Sequence, residues 1–167
     1  RARGRRCRRP GQTGCRPVSD IVTFRIEDGV GVITLNRPDQ LNALSDDMHA
    51  ALEEAVVAAQ QSEEVRVIVL TGAGRAFSAG ADMKRLDRLI EGRGANYDLP
   101  RPGIVPEGLK AIDAPPELPH AYTFPLALSK PVIAAINGPC VGAAFVIAAC
   151  CDVRFISQNG FFNAAFA

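Results

Sequence analysis

Apolar and polar positions alternate twice near the start of the chain. Val22-Thr23-Phe24-Arg25-Ile26 is one run, Glu27-Asp28-Gly29 interrupts it, and Val30-Gly31-Val32-Ile33-Thr34-Leu35-Asn36 is the second. Period-two alternation across a glycine-bearing turn predicts a β-hairpin. Arg37-Pro38-Asp39-Gln40 breaks it, because proline lacks a backbone donor and restricts its predecessor. From Ser45 the period changes. Met48, Leu52, Val56 and Ala59 recur at helical spacing, which predicts an amphipathic helix over about 46–61 with Glu53 and Glu54 on its wet side. Ser45 is the expected N-cap, and Asp46 and Asp47 suit the positive end of the helix. His49 falls on the wet side and is assigned no chemistry.

The next run, Val67-Ile68-Val69-Leu70, ends at Thr71-Gly72-Ala73-Gly74 and predicts a buried strand over about 66–71. The stretch that follows organises the chain: Arg75-Ala76-Phe77-Ser78-Ala79-Gly80-Ala81-Asp82-Met83-Lys84. It is small, glycine-bearing and then charged, so a helix is expected to start near Asp82. A strand, a small turn and a helix start leave backbone N–H groups without intrachain acceptors. Such donors hold a phosphate or a developing oxyanion. The alternative is an ordinary tight turn.

Residues 86–129 break the regularity, and from Gly92 to Pro119 the chain is dense in Gly and Pro. A loop of that length is a lid, a binding loop or disorder. Tyr97, Tyr122 and Phe124 either wall an apolar pocket or pin the loop down. Order resumes at Lys130-Pro131. Val132–Ile136 reads as a buried strand ended by Asn137-Gly138-Pro139, and Phe145–Cys151, apolar on every face, predicts a core helix. Its start at Gly142–Ala144 offers a second set of free N–H groups directly after a strand. Asp152–Ile156 reads as a further strand.

Composition adds three constraints. The 167 residues suffice for one domain with a substantial core, and no apolar run approaches a membrane span. The net charge of +1 conceals an asymmetry: residues 1–20 hold seven Arg and one Asp, a surplus of +6 that leaves residues 21–167 at −5. Rich in Arg, Gly and Pro without apolar periodicity, residues 1–20 are expected to be a disordered basic arm. The arm has neither a secretory signal's apolar stretch nor a good transit peptide's composition. Because it starts at Arg1, translated upstream sequence or a fragment boundary is favoured over a functional arm, and nucleic-acid binding through it is the weaker alternative. Five cysteines, Cys7, Cys15, Cys140, Cys150 and Cys151, form no C-x-x-C pair, and His49 and His120 are the two histidines. Free thiols in a reducing cytosol fit that pattern better than a zinc site.

The separated motifs, taken in order, resemble the crotonase superfamily, the enoyl-CoA hydratase/isomerase family. The matching residues are Ile33–Pro38 with Leu41-Asn42-Ala43-Leu44, then Val69-Leu70-Thr71-Gly72 with Phe77–Lys84. Lys130–Gly138, Gly142 and Cys151-Asp152 complete them. The resemblance spans about residues 21–167. It implies an α/β fold, a crotonase-like spiral of ββα units, here incomplete and lacking the helical C-terminal part that builds trimers or hexamers. It also implies an acyl-CoA thioester as partner, with no metal and no separate cofactor, CoA entering as part of the substrate. A cytoplasmic protein with no nucleic-acid or membrane partner is the corresponding expectation.

In that family, negative charge builds on the thioester oxygen and two backbone N–H groups stabilise the enolate. By resemblance the donors are Ala81, after Gly80, and Ala143, after Gly142. Ala43, Ala79, Gly80, Met83, Lys84 and Gly142 match stretches that line the substrate and CoA site. The departures are equally specific. Hydratases of the family use two glutamates to activate water and deliver a proton. The aligned positions here are Val146 and Phe166, and the second turn reads Gly142-Ala143-Ala144 where three glycines are usual. Other branches place an essential acid downstream of Ala167. The resemblance therefore implies acyl-CoA binding and enolate stabilisation, with little or no hydratase turnover by these 167 residues. The alternative is a non-catalytic acyl-CoA-binding relative or an inactive fragment. A chain cut inside the spiral also leaves sheet edges and apolar surface uncovered, which invites association.

Other chemistries fit less well. Gly72-Ala73-Gly74 has Phe77 where a dinucleotide fingerprint needs a small residue. Ser78 lacks the Gly-x-Ser-x-Gly context of a nucleophile. His120 has only a loop position to argue for a general base. Asp82 and Asp152 read as a helix-start residue and a structural polar residue.

Overall fold

The computed structural model describes residues 15–17, 19–83 and 120–165. Eight strands and three helices follow in order: β1 (Cys15–Pro17), β2 (Val22–Glu27), β3 (Val30–Leu35), α1 (Asp46–Gln61), β4 (Val67–Gly72), α2 (His120–Thr123), β5 (Val132–Ile136), β6 (Pro139–Val141), α3 (Ala143–Ala149), β7 (Val153–Ile156) and β8 (Phe161–Asn163). The six-stranded sheet runs β1-β2-β3-β4-β5-β7, antiparallel from β1 to β3 and parallel from β3 onward.

The hairpin forms where alternation places it. Asp28 and Gly29 both take positive φ, at 50° and 86°, the backbone of a tight two-residue hairpin turn. Helix α1 starts at the expected cap, the Ser45 hydroxyl accepting from the Met48 N–H at 3.2 Å. Its apolar stripe, Met48, Ala51, Leu52, Ala55, Val56 and Ala59, is buried against β2 and β3. Lys130 donates from Nζ to the carbonyls of Ala59 (2.9 Å) and Ser62 (2.6 Å) at the other end of α1, where a cation is favourable. The sheet and α1 share one core that includes Ile33, Leu35, Ile68, Leu70, Val132 and Ile136.

A second layer of short pairings runs beside the main sheet and defines how the chain coils. After β3 the chain reaches Leu44, which bridges Ala81 in parallel; after β4 it reaches Ser78, which bridges Cys140. Cys140 lies in β6, which pairs in parallel with β8. Each of β3, β4, β5 and β7 is thus followed by a contribution to the second layer, and successive contributions stack. That is a repetition of one unit, a spiral of ββα character.

Four expectations require correction. Cys15–Pro17 lies within the arm expected to be disordered, yet it pairs with β2 from Cys15↔Arg25 to Pro17↔Thr23. Backbone pairing along an open edge needs no apolar periodicity. Residues 1–14 and 18 lie outside the described residues. Within the stretch expected to be irregular, 120–123 is a helical turn and Phe124–Ala127 a 3-10 turn, with Phe124 buried in the core. His49 is half-buried rather than wet, its ring 5.3 Å from that of Tyr122. Helix α3 buries Ala143, Ala144, Ile147 and Ala148 but leaves Phe145 and Val146 half-buried and Ala149 exposed.

The last turn is open. Val153, Phe155, Ile156, Phe161 and Phe162 are exposed, and among the described residues no strand pairs with the outer edge of β7. No helix among the described residues is long and apolar enough to cross a membrane.

Candidate functional site

The site is built where two consecutive turns of the spiral meet. The first turn leaves β4 at Gly72 and runs to Ala81. Its return leg, 79–82, lies beside 41–44 through three backbone bonds: Ala79 N–H to Leu41 O (2.9 Å), Leu44 N–H to Gly80 O (2.7 Å) and Asp82 N–H to Leu44 O (3.2 Å). On its other side Ser78 accepts from Val141 N–H (3.0 Å) and donates to Pro139 O (3.1 Å). The leg is therefore held between the 41–44 segment and β6.

This pairing decides from which edge the Ala81 N–H leaves. The bonds to Leu44 use the carbonyl of Gly80 and the N–H of Asp82, the residues on either side of Ala81. In extended chain the intervening N–H points off the opposite edge. That edge faces Val141, Gly142 and Ala143. Among the described residues the Ala81 N–H meets no backbone acceptor.

The second turn follows β6. Gly142 has φ 54° and ψ −122°, and Ala143 is the first residue of α3. The N–H groups at the start of a helix have no acceptor within it. Gly142 itself is pinned, its N–H donating to Asn163 O at 2.8 Å and its carbonyl accepting from Phe145 and Val146.

The two turns touch. Gly80 has φ 86°, and a Cβ there would stand 2.5 Å from Val141 O and 3.4 Å from Ala143 N. Glycine at position 80 lets the loops close to that distance. The space beside Gly142 is different: a Cβ built there meets no described atom within 4 Å. The donors of Ala81 and Ala143 thus sit on abutting turns, an arrangement that suits one electron-rich oxygen.

A buried polar network sets the first turn in place. Asn42 is fully buried; its Nδ2 donates to Ala73 O and Ala76 O, both at 2.9 Å, and its Oδ1 accepts from Arg37 N–H at 2.8 Å. Ser78, also fully buried, donates from Oγ to Asn42 O (2.8 Å) and accepts from Gly80 N–H (3.1 Å). Asn137 ties the two turns, accepting from Gly72 N–H and donating to Gly74 O and Ala76 O. Arg37 donates to Ala43 O and Ser45 Oγ and reaches Asp82 Oδ2 at 3.5 Å.

The expected site residues fall out as follows. Ala43, Ala79, Gly80 and Ala81 come together along the first turn, and Gly142 and Ala143 abut them. Met83 is 68% exposed at the rim, and Lys84 lies outside the described residues. Val146 is half-buried one helical turn beyond Ala143 and has no acid–base chemistry; Phe166 and Tyr97 lie outside the described residues. Asp82 is engaged with Arg37, and Asp152 accepts from Val132 N–H at 2.7 Å, tying β5 to β7 as a structural residue.

Sequence reasoning passed over Asn42, Asn137 and the Ser78 side chain as site components. The one signal available was a polar residue inside an otherwise small, apolar segment, with Asn favoured at the left-handed backbone (φ 55°) that Asn42 adopts. Among the described residues, Cys140, Cys150 and Cys151 offer no activated thiolate. Burial pushes the Cys140 and Cys151 thiols up to about 12, and it raises Cys150 as well, so all three are thiols at neutral pH.

Comparison with known proteins is consistent from three directions. The family model described as Enoyl-CoA hydratase/isomerase matches residues 25–167. The chain is 34% identical over 148 residues to a probable enoyl-CoA hydratase, echA12, of Mycobacterium bovis, covering 89% of this chain and 48% of that protein. It is 33% identical over 153 residues to the 1,2-epoxyphenylacetyl-CoA isomerase of Escherichia coli K12, covering 89% of this chain and 52% of the relative. A solved enoyl-CoA hydratase, EchA12_1 of Mycobacterium marinum, superposes with a TM-score of 0.63 at 37% identity, over 89% of this chain and 57% of that one. The chain spans about half the length of the curated relatives it matches. Matching sequence, a shared spiral and the two abutting turns place the chain in the enoyl-CoA hydratase/isomerase family of the crotonase superfamily.

Proposed function

We propose that the chain binds an acyl-CoA thioester and holds its carbonyl oxygen between the backbone N–H groups of Ala81 and Ala143. The observation that carries this reading is the close approach of Gly80 to the start of α3, where a built Cβ would stand 3.4 Å from Ala143 N, so that the two donors lie on abutting turns. When a proton leaves the carbon next to the thioester carbonyl, or a nucleophile adds to the conjugated acyl chain, charge moves onto that oxygen. Donors already aimed at it stabilise the enolate without reorganising. Removing one such donor typically costs about 3–4 kcal/mol of transition-state stabilisation. Ala43 and Ala79 line the same turn with small side chains, and Met83 at the rim offers an apolar contact to the CoA portion. CoA enters as part of the substrate, and the scheme calls on no metal or separate cofactor. Homo-oligomeric assembly and a cytoplasmic location are part of the same proposal.

A second reading rests on Val146. The position that carries the first water-activating glutamate in hydratases holds an aliphatic side chain. Enolate stabilisation without a proton carrier gives binding and little turnover, so a non-catalytic acyl-CoA-binding role is the alternative. The chain's family includes hydratases and isomerases; turnover separates the two readings, and ligand affinity tests the contact they share. Calorimetric titration with butyryl-CoA and with the matching butyl-CoA thioether, which lacks the carbonyl, tests the oxyanion contact. Tighter binding of the thioester by tenfold or more supports it, and equal affinities refute it. Hydration of crotonyl-CoA at a hydratase's usual rate would contradict the low-turnover expectation.

A further inference from the structure

One buried residue touches both turns, the first through its side chain and the second through its backbone. Through its Oγ, Ser78 accepts from Gly80 N–H at 3.1 Å and donates to Asn42 O at 2.8 Å. Through its backbone it donates to Pro139 O at 3.1 Å and accepts from Val141 N–H at 3.0 Å. It is thus bonded to the residue directly before Ala81 and to the residue two before Ala143. Its relative exposure is 0%, so water does not substitute for any of these partners.

We propose that Ser78 is a positioning residue whose hydroxyl aims the Ala81 N–H at the thioester oxygen. The proposal rests on the oxyanion reading given above. The reasoning is geometric. Gly80 is buried, and without the Ser78 hydroxyl its N–H loses its acceptor, a state that buried amides avoid. Glycine rotates with little resistance, so the 79–81 peptides turn until that N–H finds another acceptor. The next peptide carries the Ala81 N–H; its carbonyl, Gly80 O, keeps the Leu44 N–H as donor at 2.7 Å, so that peptide tilts about the remaining bond. Hydrogen bonds weaken steeply as the donor angle departs from linearity, so a modest rotation degrades the contact with the oxygen. The CoA portion is held elsewhere, along Ala43 and Met83, and is little affected.

The proposal also accounts for why a serine occupies a site with no nucleophilic context. The hydroxyl donates and accepts inside the loop and is fully buried, which leaves it no access to a substrate. Alanine has neither function. Cysteine has a similar shape, but its sulfur is a larger and weaker acceptor that displaces Gly80 outward.

The test uses the full chain and butyryl-CoA labelled with carbon-13 at the thioester carbonyl, read by isotope-edited infrared spectroscopy. In the wild type the bound carbonyl band is expected below its position in water. In Ser78→Ala it is expected to return at least halfway toward that position, while affinity for free CoA changes by less than threefold. Ser78→Cys is expected between the two. A folded Ser78→Ala whose band coincides with the wild type's overturns the positioning role and leaves the oxyanion reading intact. A wild-type band at its position in water overturns the oxyanion reading itself. Cooperative melting establishes that each variant is folded, and Ser78→Cys carries the comparison where Ser78→Ala does not fold. Amide hydrogen exchange on the unliganded wild type needs no variant: Gly80 is expected to exchange at least tenfold more slowly than Ala81. Equal rates would remove the Ser78–Gly80 bond on which the proposal stands.

Discussion

Replacing Gly80 by alanine probes the junction of the two turns most sharply. Two costs add at that position. The backbone sits at φ 86°, where an L side chain is strained by roughly 1–3 kcal/mol. The added Cβ also stands 2.5 Å from Val141 O, a backbone atom of β6 that the Ser78 and β8 pairings hold in place. Forcing a methyl into a site with no room typically costs another 1–3 kcal/mol or so. Gly80→Ala is therefore expected to destabilise the chain by roughly 2–6 kcal/mol. Gly142→Ala is the internal control, because its φ is also positive, at 54°, yet its Cβ would meet no described atom within 4 Å. Strain alone predicts about 1–3 kcal/mol there. Urea unfolding of the two variants beside the wild type measures the difference. Gly80→Ala should lose more stability than Gly142→Ala, and its preference for thioester over thioether should fall as the turns move apart. Equal losses, or a Gly80→Ala variant within about 0.5 kcal/mol of the wild type, would refute the claim that the turns abut at this residue.

Further perturbations test other parts of the site. Asn42→Ala leaves the Ala73 carbonyl and the Arg37 N–H without their side-chain partner and Ala76 O with Asn137 alone, and should cost roughly 2–5 kcal/mol in the same unfolding assay. Asn42→Asp faces a carboxylate toward the carbonyls of Ala73 and Ala76, which raises its folded pKa above the unfolded value near 3.9. That variant should gain stability as pH falls through the raised pKa, opposite to the trend of a paired carboxylate. Lys130→Met removes the cation from the end of α1 and should cost about 1–2 kcal/mol, read as a shift in the urea midpoint. Cys140 and Cys151, raised from 9.0 to about 12, bind protons in the folded state that the unfolded state has released. Their contribution is intact below about pH 9 and is lost as pH rises toward 12, so the alkaline loss of stability should be smaller in Cys140→Ser; an unchanged loss would show that Cys140 is not the titrating group. Native alkylation at pH 7.5 followed by mass spectrometry should label both sites far more slowly than in urea.

Much of the fold was legible because local rules and tertiary packing agree. Helix α1 ends within the expected range since Ser45 caps it and its apolar stripe has one sheet to cover. Strands β2 to β5 and β7 follow the alternation or apolar runs that predict them. The spiral was not legible in periodicity. It depends on Leu44 meeting Ala81 and Ser78 meeting Cys140, pairings between distant segments too short to carry a pattern. Strand β1 escaped notice because Cys15–Pro17 joins by backbone alone. The half-open face of α3 could not be inferred from composition, since an all-apolar helix looks the same whether its neighbours cover one face or both. At the site, Gly80 and Gly142 were legible through the motif that carries them. Asn42 and Ser78 were not, because a polar side chain in a loop faces water as readily as it caps a neighbouring carbonyl.

The central claim is that the Ala81 and Ala143 N–H groups together hold one oxygen of an acyl-CoA thioester. Amide proton shifts of these two residues, followed by nuclear magnetic resonance during titration, test it most directly. With butyryl-CoA both protons should move downfield and exchange more slowly, while the butyl-CoA thioether leaves them where they were. Movement of neither amide, or the same movement with both ligands, would contradict the account.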